Sequence, residues 1–213
     1  MAINLSKGQS INLNKDEHDL SSITIGLGWK IRKKKKSGLF GGLFGDKQED
    51  YDLDAIAFLL DKNDQIANVG DAKLVGGDVV FFNSLRHPTG HVFHSGDNRT
   101  GGDGAQDDEQ IVVKMTSLDA RYHKIIFLVC IYKGQEKKQH FGNVDSAYMR
   151  ALDAKGKEIA RYALSADPSY SERCTMVFGE VYRKDGGWKF RAIGDAHPFD
   201  CFTALLKQHL TAN

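Results

Sequence analysis

With 213 residues, 41% of them hydrophobic, the chain is long enough to bury one sizeable core. Its 29 Lys and Arg stand against 28 Asp and Glu, a net charge of +1, which excludes the overall basic footprint of a nucleic-acid binder. No stretch approaches the ~20 apolar residues of a membrane helix, and the opening MAINLSKGQS has neither the basic nor the apolar segment of a secretory leader. The expected compartment is the cytoplasm. Only three prolines occur and no Pro/Ser-rich linker divides the chain, so residues 1–213 read as a single domain. Cys130, Cys174 and Cys201 are odd in number, widely spaced and without a C-x-x-C pair, which argues against a disulfide framework or a zinc site. Cys130, inside IIFLVCIY, reads as a buried small hydrophobe.

The apolar period is mostly two. AINLS and SINLN flank Lys7-Gly8 and predict an N-terminal hairpin. The strands predicted after it are ITIGLGW, LDAIAFLL, DVVFFN, HVFH, EQIVVKM, KIIFLVCIY, AYMRAL, EIARYAL, TMVFGEVYR and WKFRAIG. Turn signals such as DKND, HPTG, DAKG and KDGG separate them. Short strands at this spacing predict an all-β fold, a β-sandwich of two antiparallel sheets. Short helical turns are expected near Leu118 to Arg121 and Asn143 to Ala147. Only the tail PFDCFTALLKQHL has helical spacing. There Pro198 sits near the first turn, and Phe199, Phe202, Leu205, Leu206 and Leu210 share one face.

Residues 31–50, IRKKKKSGLFGGLFGDKQED, interrupt the pattern. They read as a flexible basic insertion carrying two GLFG copies. A sharper alternative places Lys33, Lys34, Lys35 and Lys36 on anionic lipid head groups, at ~1 kcal/mol for each basic residue, with Leu39, Phe40, Leu43 and Phe44 inserting.

Two stretches concentrate oxygen donors. In Asp50-Tyr51-Asp52-Leu53-Asp54, strand alternation puts the three acids on one face and Tyr51 and Leu53 on the other. Residues 96–110, GDNRTGGDGAQDDEQ, contain five acids and four glycines but no large apolar side chain. Asp97, Asn98, Thr100, Asp103, Asp107, Asp108 and Glu109 supply hard oxygens, and glycines such as Gly102 let the backbone present carbonyls. Carboxylate, amide and carbonyl oxygens suit Ca²⁺, which takes 6–8 of them in flexible geometry. Zn²⁺ would want His or Cys. The spacing is not that of an EF-hand, and Asp61-Lys62-Asn63-Asp64 reads as a turn because Ile66 stands where such a loop needs Gly.

His87, His91 and His94 cluster in sequence, but His91 and His94 fall on opposite faces of a strand. They read as turn and surface histidines, with His94 supporting the acidic loop. No Ser or Cys has an identifiable base, no P-loop occurs, and GLFGGLFG is not a dinucleotide fingerprint. A catalytic site is therefore not expected.

GLGW at 26–29, DLDAIAFLL at 52–60, HSGDNRTG at 94–101, DDEQI at 107–111, FGEVYR, WKFRAIG, LSKGQSINL and FGNVDSAYMRALD together resemble the TerD family of bacterial tellurium-resistance and general-stress proteins. The resemblance covers nearly the whole chain. It implies a sandwich similar to C2 domains, two neighbouring Ca²⁺ sites at one end, and non-enzymatic cytoplasmic proteins linked to tellurite and other stresses. Positions matching the family's motifs are Asp52 and Asp54, then Asp97, Asn98 and Thr100, then Asp107, Asp108 and Glu109, with Asp103 between the last two groups. Two departures stand out. Lys30 occupies the place after GLGW where the family usually carries an acid, leaving only the backbone carbonyls of Trp29 or Lys30 as donors there. The segment GGDGAQDDE is one residue longer than the family's common form.

The expectation is thus a calcium-binding, non-enzymatic stress protein. Its partners would be Ca²⁺ and other stress or tellurium-resistance proteins, at or near the inner membrane surface, and no nucleic acid. The alternatives are a metal-dependent hydrolase or phosphoryl-transfer enzyme using the same carboxylates, and a calcium-dependent membrane adaptor.

Overall fold

The computed structural model of the chain describes residues 2–31, 51–96, 107–165 and 168–210. Those residues form two six-stranded sheets. Sheet A contains β1 (Ile3–Asn4), β10 (Glu158–Ser165), β9 (Val144–Asp153), β3 (Ile23–Ile31), β7 (Glu109–Val113) and β6 (Val92–His94), in that spatial order. Sheet B contains β2 (Ser10–Leu13), β12 (Gly187–His197), β11 (Thr175–Lys184), β8 (Lys124–Ile131), β4 (Leu53–Leu60) and β5 (Val79–Val80). All pairings are antiparallel except β1 with β10. The all-β sandwich expected from the period-two pattern is the fold observed.

Alternation assigns the faces. Ile23, Ile25, Leu27 and Trp29 of β3 point between the sheets, where they meet Leu53, Ala55, Ala57 and Leu59 of β4 and Ile125, Phe127, Val129 and Ile131 of β8. Strand β4 is buried along its whole length, because sheet B has a second apolar layer on its outer face. There Ile56, Phe58, Leu60, Ile126, Leu128 and Cys130 pack against Phe202, Leu205 and Leu206. The C-terminal helix is short, α2 (Thr203–Leu206) followed by a 3₁₀ turn at Lys207–His209. Phe202 joins it to the sheet through ring contacts with Phe58 and Phe81, at centroid distances of 6.0 and 5.2 Å. Phe199 packs against the same layer, whereas Leu210 is exposed.

Several local expectations are corrected. The flanks of Lys7-Gly8 do not pair as a hairpin: β1 joins β10 in sheet A, whereas β2 joins β12 in sheet B. The turn, with Gly8 at φ +82°, instead carries the chain from one sheet to the other. Gly8 N–H donates to Ala192 O at 2.8 Å, and Ala192 N–H donates to Gln9 O at 3.0 Å. DVVFFN contributes only a two-residue strand. Residues 118–121 form turn without helix, and the 3₁₀ turn near Asn143 lies at Phe141–Asn143, ending where β9 begins. A short helix α1 (Gly134–Lys137) was not anticipated. Asp61 to Asp64 is a turn as expected, its Asp61 Oδ1 accepting from the N–H groups of Asn63 and Gln65. Of the 31–50 insertion, Ile31 ends β3 and the remainder, with its lysines and GLFG copies, lies outside the described residues.

Because the second apolar layer is part of the core, Phe202→Ala should cost roughly 3 kcal/mol of unfolding free energy in urea titration. Leu210→Ala should change it by ~0.5 kcal/mol or less.

Candidate functional site

Strands β3 and β6 leave the sandwich, and β4 and β7 enter it, at one end. Side chains and backbone bind these ends together. Trp29, fully buried, donates its indole N–H to Tyr51 O at 3.3 Å. Its backbone N–H donates to Asp108 Oδ2 at 2.9 Å, and Asp108 N–H donates to Leu27 O at 2.7 Å. Ser95 N–H donates to Gln110 O, and Gln110 N–H to Ser95 Oγ, closing the root of the segment between β6 and β7. The GLGW motif has a steric reason. Gly26 and Gly28 face outward on β3; a Cβ at Gly26 would overlap the Asp107 carboxylate and one at Gly28 would overlap the Tyr148 ring.

The expected site residues fall into three groups. Asp52 and Asp54 sit at the mouth of β4, on the face away from the inter-sheet core, with Asp54 buried and Asp52 half-buried. Tyr132 N–H donates to Asp52 O at 2.8 Å, and Asp54 lies across from Cys130 on β8. Asp107, Asp108 and Glu109 enter β7, while Trp29 and Lys30 end β3 with the Lys30 side chain exposed. Asp97, Asn98, Thr100, Gly102 and Asp103 lie outside the described residues.

The triplet entering β7 is already engaged. Asp107 Oδ1 accepts from Arg150 Nε at 2.8 Å and Tyr148 Oη at 3.1 Å, and Oδ2 accepts from Gln110 Nε2 at 3.0 Å. Glu109, 1% exposed, accepts Ala55 N–H at 2.7 Å through Oε2. Nε2 of buried His94 stands 3.3 Å from the same oxygen. Gly96 N–H donates to His94 Nδ1 at 3.0 Å, which puts the ring proton on Nε2, facing Glu109. Nδ1 of His94 is thereby occupied. Among the described residues, no group of three or more His, Cys, Asp or Glu side chains is placed to hold a metal ion.

Sequence reading missed Arg150 and Tyr148. Alternation in AYMRAL did put them on one face, opposite Ala147, Met149 and Ala151, but a single strand does not name its partner. Burial, with Asp107 adding to it, pushes the Tyr148 hydroxyl up to about 12. Arg150 also reaches Glu158 at 3.2 Å, and Glu158 takes two hydrogen bonds from Arg161, both 2.9 Å. Hydrogen bonds from Arg161 hold the Glu158 carboxyl below its ordinary value. The Arg161 guanidinium lies 4.1 Å from the Tyr148 ring centroid.

The histidine expectation is corrected at His87, which is buried. Its Nε2 meets Asp78 Oδ1 at 3.1 Å, Tyr122 Oη donates to the same oxygen at 2.6 Å, and Asn68 N–H donates to Asp78 Oδ2 at 2.9 Å. Burial pushes the Asp78 carboxyl up, but the donors from His87, Tyr122 and Asn68 outweigh it and hold it below 3.8. All three cysteines are free; Cys130 and Cys174 are buried and Cys201 is exposed. Burial, reinforced by the Asp54 charge, pushes the Cys130 thiol far up, and burial then Asp200 raises Cys174 to about 11. Neither buried thiol offers a thiolate for a soft metal near neutral pH. The donor chemistry at this end is hard oxygen.

Fold and site together define a two-sheet β-sandwich with an acid-bearing loop end. The chain belongs to the TerD family: residues 1–209 match the TerD domain. It is 50% identical over 216 residues to tellurium resistance protein TerX of Serratia marcescens, covering 99% of this chain and all of that protein. It is 40% identical to tellurium resistance protein TerD of an Alcaligenes species, over 91% and 90% of the two chains. With general stress protein 16U of Bacillus subtilis it shares 36% identity over 92% of each. Among solved structures it resembles a Streptomyces coelicolor homologue of telluride resistance protein TerD, with a TM-score of 0.62 at 17% identity over 90% of this chain and 99% of that one. Among the described residues no helix is long and apolar enough to cross a membrane.

Two outcomes follow from this geometry. Gly28→Ala, forced against Tyr148, should cost roughly 2–3 kcal/mol in urea unfolding, whereas Gly187→Ala, whose Cβ meets only an ordinary contact, should stay within ~0.5 kcal/mol. Asp78, with its folded value depressed, stabilises the protein above its unfolded value near 3.8, and that contribution is lost as pH falls through the folded value. The stability gap between wild type and Asp78→Asn should therefore be constant near neutrality and narrow below about pH 4, read from urea unfolding at stepped pH.

Proposed function

We propose that the chain is a calcium-binding, non-enzymatic stress-response protein whose acid-bearing end presents a surface to a partner when the cation is held. The observation that carries this reading is the meeting of two acid-bearing chain roots at one end: Asp52 and Asp54 entering β4, and Asp108 entering β7. Trp29 bridges them, giving its indole N–H to Tyr51 O and its backbone N–H to Asp108. These are oxygen donors, which suits Ca²⁺ better than a metal preferring nitrogen or sulfur. The described donors are part of a set; the remaining ones would be Asp97, Asn98, Thr100 and Asp103, with backbone carbonyls of Trp29, Lys30 or Gly102.

The names of the relatives, tellurium resistance proteins and a general stress protein, support a stress role. They also make the cytoplasm and other stress proteins the natural setting and partners. The ion would supply positive charge between carboxylates that otherwise repel one another. The protein's own part is to fix the roots of the two segments so that their oxygens converge. The hydrolase alternative needs a general base, and Nδ1 of His94 already accepts the Gly96 N–H.

A cation bound only by the folded state stabilises it by ~2.7 kcal/mol at a hundredfold excess over Kd, a rise in Tm of roughly 5–10 °C for a chain of this size. Melts in Ca²⁺ should therefore run higher than melts in EDTA or Mg²⁺, and Asp52→Asn and Asp54→Asn should remove the difference. Identical Tm in all three solutions would defeat the reading. Calcium-dependent sedimentation with anionic vesicles would convert the partner surface into a membrane adaptor.

A further inference from the structure

The turn His87-Pro88-Thr89-Gly90-His91 enters β6 at the end of the sandwich opposite the acids, close to where β8 begins. His87 Nδ1 accepts the Thr89 N–H at 3.2 Å, so that nitrogen carries no proton and the ring proton sits on Nε2, 3.1 Å from Asp78 Oδ1. The half-buried Thr89 has its hydroxyl 2.8 Å from Nδ1 and therefore donates to it, while the same oxygen accepts the His91 N–H at 3.3 Å. Tyr122 Oη donates to Asp78 Oδ1 at 2.6 Å, and its ring stands edge-on to the imidazole with centroids 5.4 Å apart. A hydroxyl meets the bare nitrogen of an imidazole whose other nitrogen is held by a carboxylate. That is the order of nucleophile, base and orienting group.

A turn alone does not call for this. An Asn or Asp in the first position holds the same turn through the N–H two residues on, with no carboxylate and phenol buried behind it. Here Asp78, His87 and Tyr122 are 3%, 2% and 2% exposed. Burial raises the Asp78 carboxyl, but its donors hold it below 3.8, so its charge faces the imidazolium that forms when His87 takes a proton. The N–H groups of the turn are committed: Thr89 to His87 Nδ1, Gly90 to His87 O at 2.8 Å, and His91 to Thr89 Oγ1. The turn supplies a base, and these three groups are not placed to receive a developing oxyanion, so the electrophile must bring a good leaving group. Two exposed basic residues border the turn. Arg86 precedes His87, and Lys114 N–H donates to His91 O at 2.8 Å. Neighbouring cations suit phosphate as that leaving group.

We propose that Thr89 is an acyl-acceptor site, an activated hydroxyl that takes an acyl group from an acyl phosphate, with His87 as base and Asp78 and Tyr122 as positioning residues. The Thr89 oxygen bonds to the acyl carbon as its proton passes to His87 Nδ1. The bond from that carbon to the phosphate oxygen breaks, and the phosphate leaves with the electron pair and takes the proton from His87. The products are an ester on Thr89 and inorganic phosphate. Each Thr89 takes one acyl group, so the reaction modifies the protein and is not turnover. It uses no residue of the acid-bearing end and stands apart from the calcium reading.

The test is to incubate the full chain with acetyl phosphate and follow acetylation residue by residue with peptide mass spectrometry. Hydroxylamine removes an ester and leaves lysine amides in place. Thr89 should be esterified roughly 100-fold faster than Thr116, an exposed threonine whose hydroxyl lies on Ser21 O. Thr89→Ser should keep the reaction and Thr89→Val should remove it, with lysine acetylation unchanged in both. His87→Gln should slow esterification of Thr89 by ~100-fold. Asp78→Asn offers Nε2 an amide N–H, which moves the ring proton to Nδ1 and takes the base from the hydroxyl; it should slow Thr89 by ~10-fold or more below its Tm, with the lysines as internal reference. If either buried variant fails to fold, the ratio of Thr89 to Thr116 in the wild type and the two Thr89 variants still decide. Esterification of Thr89 no faster than that of Thr116, or a rate unchanged in folded His87→Gln, would overturn the assignment.

Discussion

One buried hydrogen bond joins the two sheets at the end where the acids gather: Ala55 N–H of sheet B donating to Glu109 Oε2 of sheet A, at 2.7 Å. Strand β4 is paired along its length on the β8 side, but β5 covers only Ala57 and Phe58 on the other. The first half of β4 therefore has edge donors that must be met by something other than a strand. A carboxylate from the opposite sheet meets one of them. A buried charge is tolerated only with partners, and His94 against the same oxygen ties the end of β6 to the same point. The positions of β4, β6 and β7 at this end thus depend on one another, and Trp29 brings in β3 through Tyr51 and Asp108.

Sheet B is covered on both faces, which is why the period-two signal in LDAIAFLL reads as a continuous apolar run. One face meets the inter-sheet core and the other meets Phe202, Leu205 and Leu206. Sheet A differs. Its outer face carries glycine, tyrosine and a ladder of alternating charge, Asp107, Arg150, Glu158 and Arg161, over Gly26. The tail supplies the cover for one sheet. On the other, ion pairs and a cation–π stack with Tyr148 do so.

Much of this was legible in the chain, and the failures share a cause. Alternation located the long strands, and the resemblance carried by GLGW, HSGDNRTG and DDEQI identified the family. The Lys7-Gly8 turn was recognised as a turn, but a local signal reports only that the chain reverses, not whether the two arms pair. Here they belong to different sheets. His87 was read as a turn residue and is a buried partner of Asp78 and Tyr122, because its partners lie 9 and 35 positions away. The glycines of GLGW were noticed as a motif, yet their reason, the approach of Asp107 and Tyr148, exists only once β3, β7 and β9 are side by side. The acids of DDE are the sharpest case. A carboxylate that binds a cation and one that caps a backbone N–H or pairs with an arginine are the same residue in sequence.

That ambiguity bears on how the acidic end keeps its shape. If all three acids of the triplet were ligands, the root of the segment would be held only while a cation was present, and like charges would drive it apart otherwise. Asp107 on Arg150 and Glu109 on Ala55 and His94 neutralise or satisfy two of the three within the protein itself.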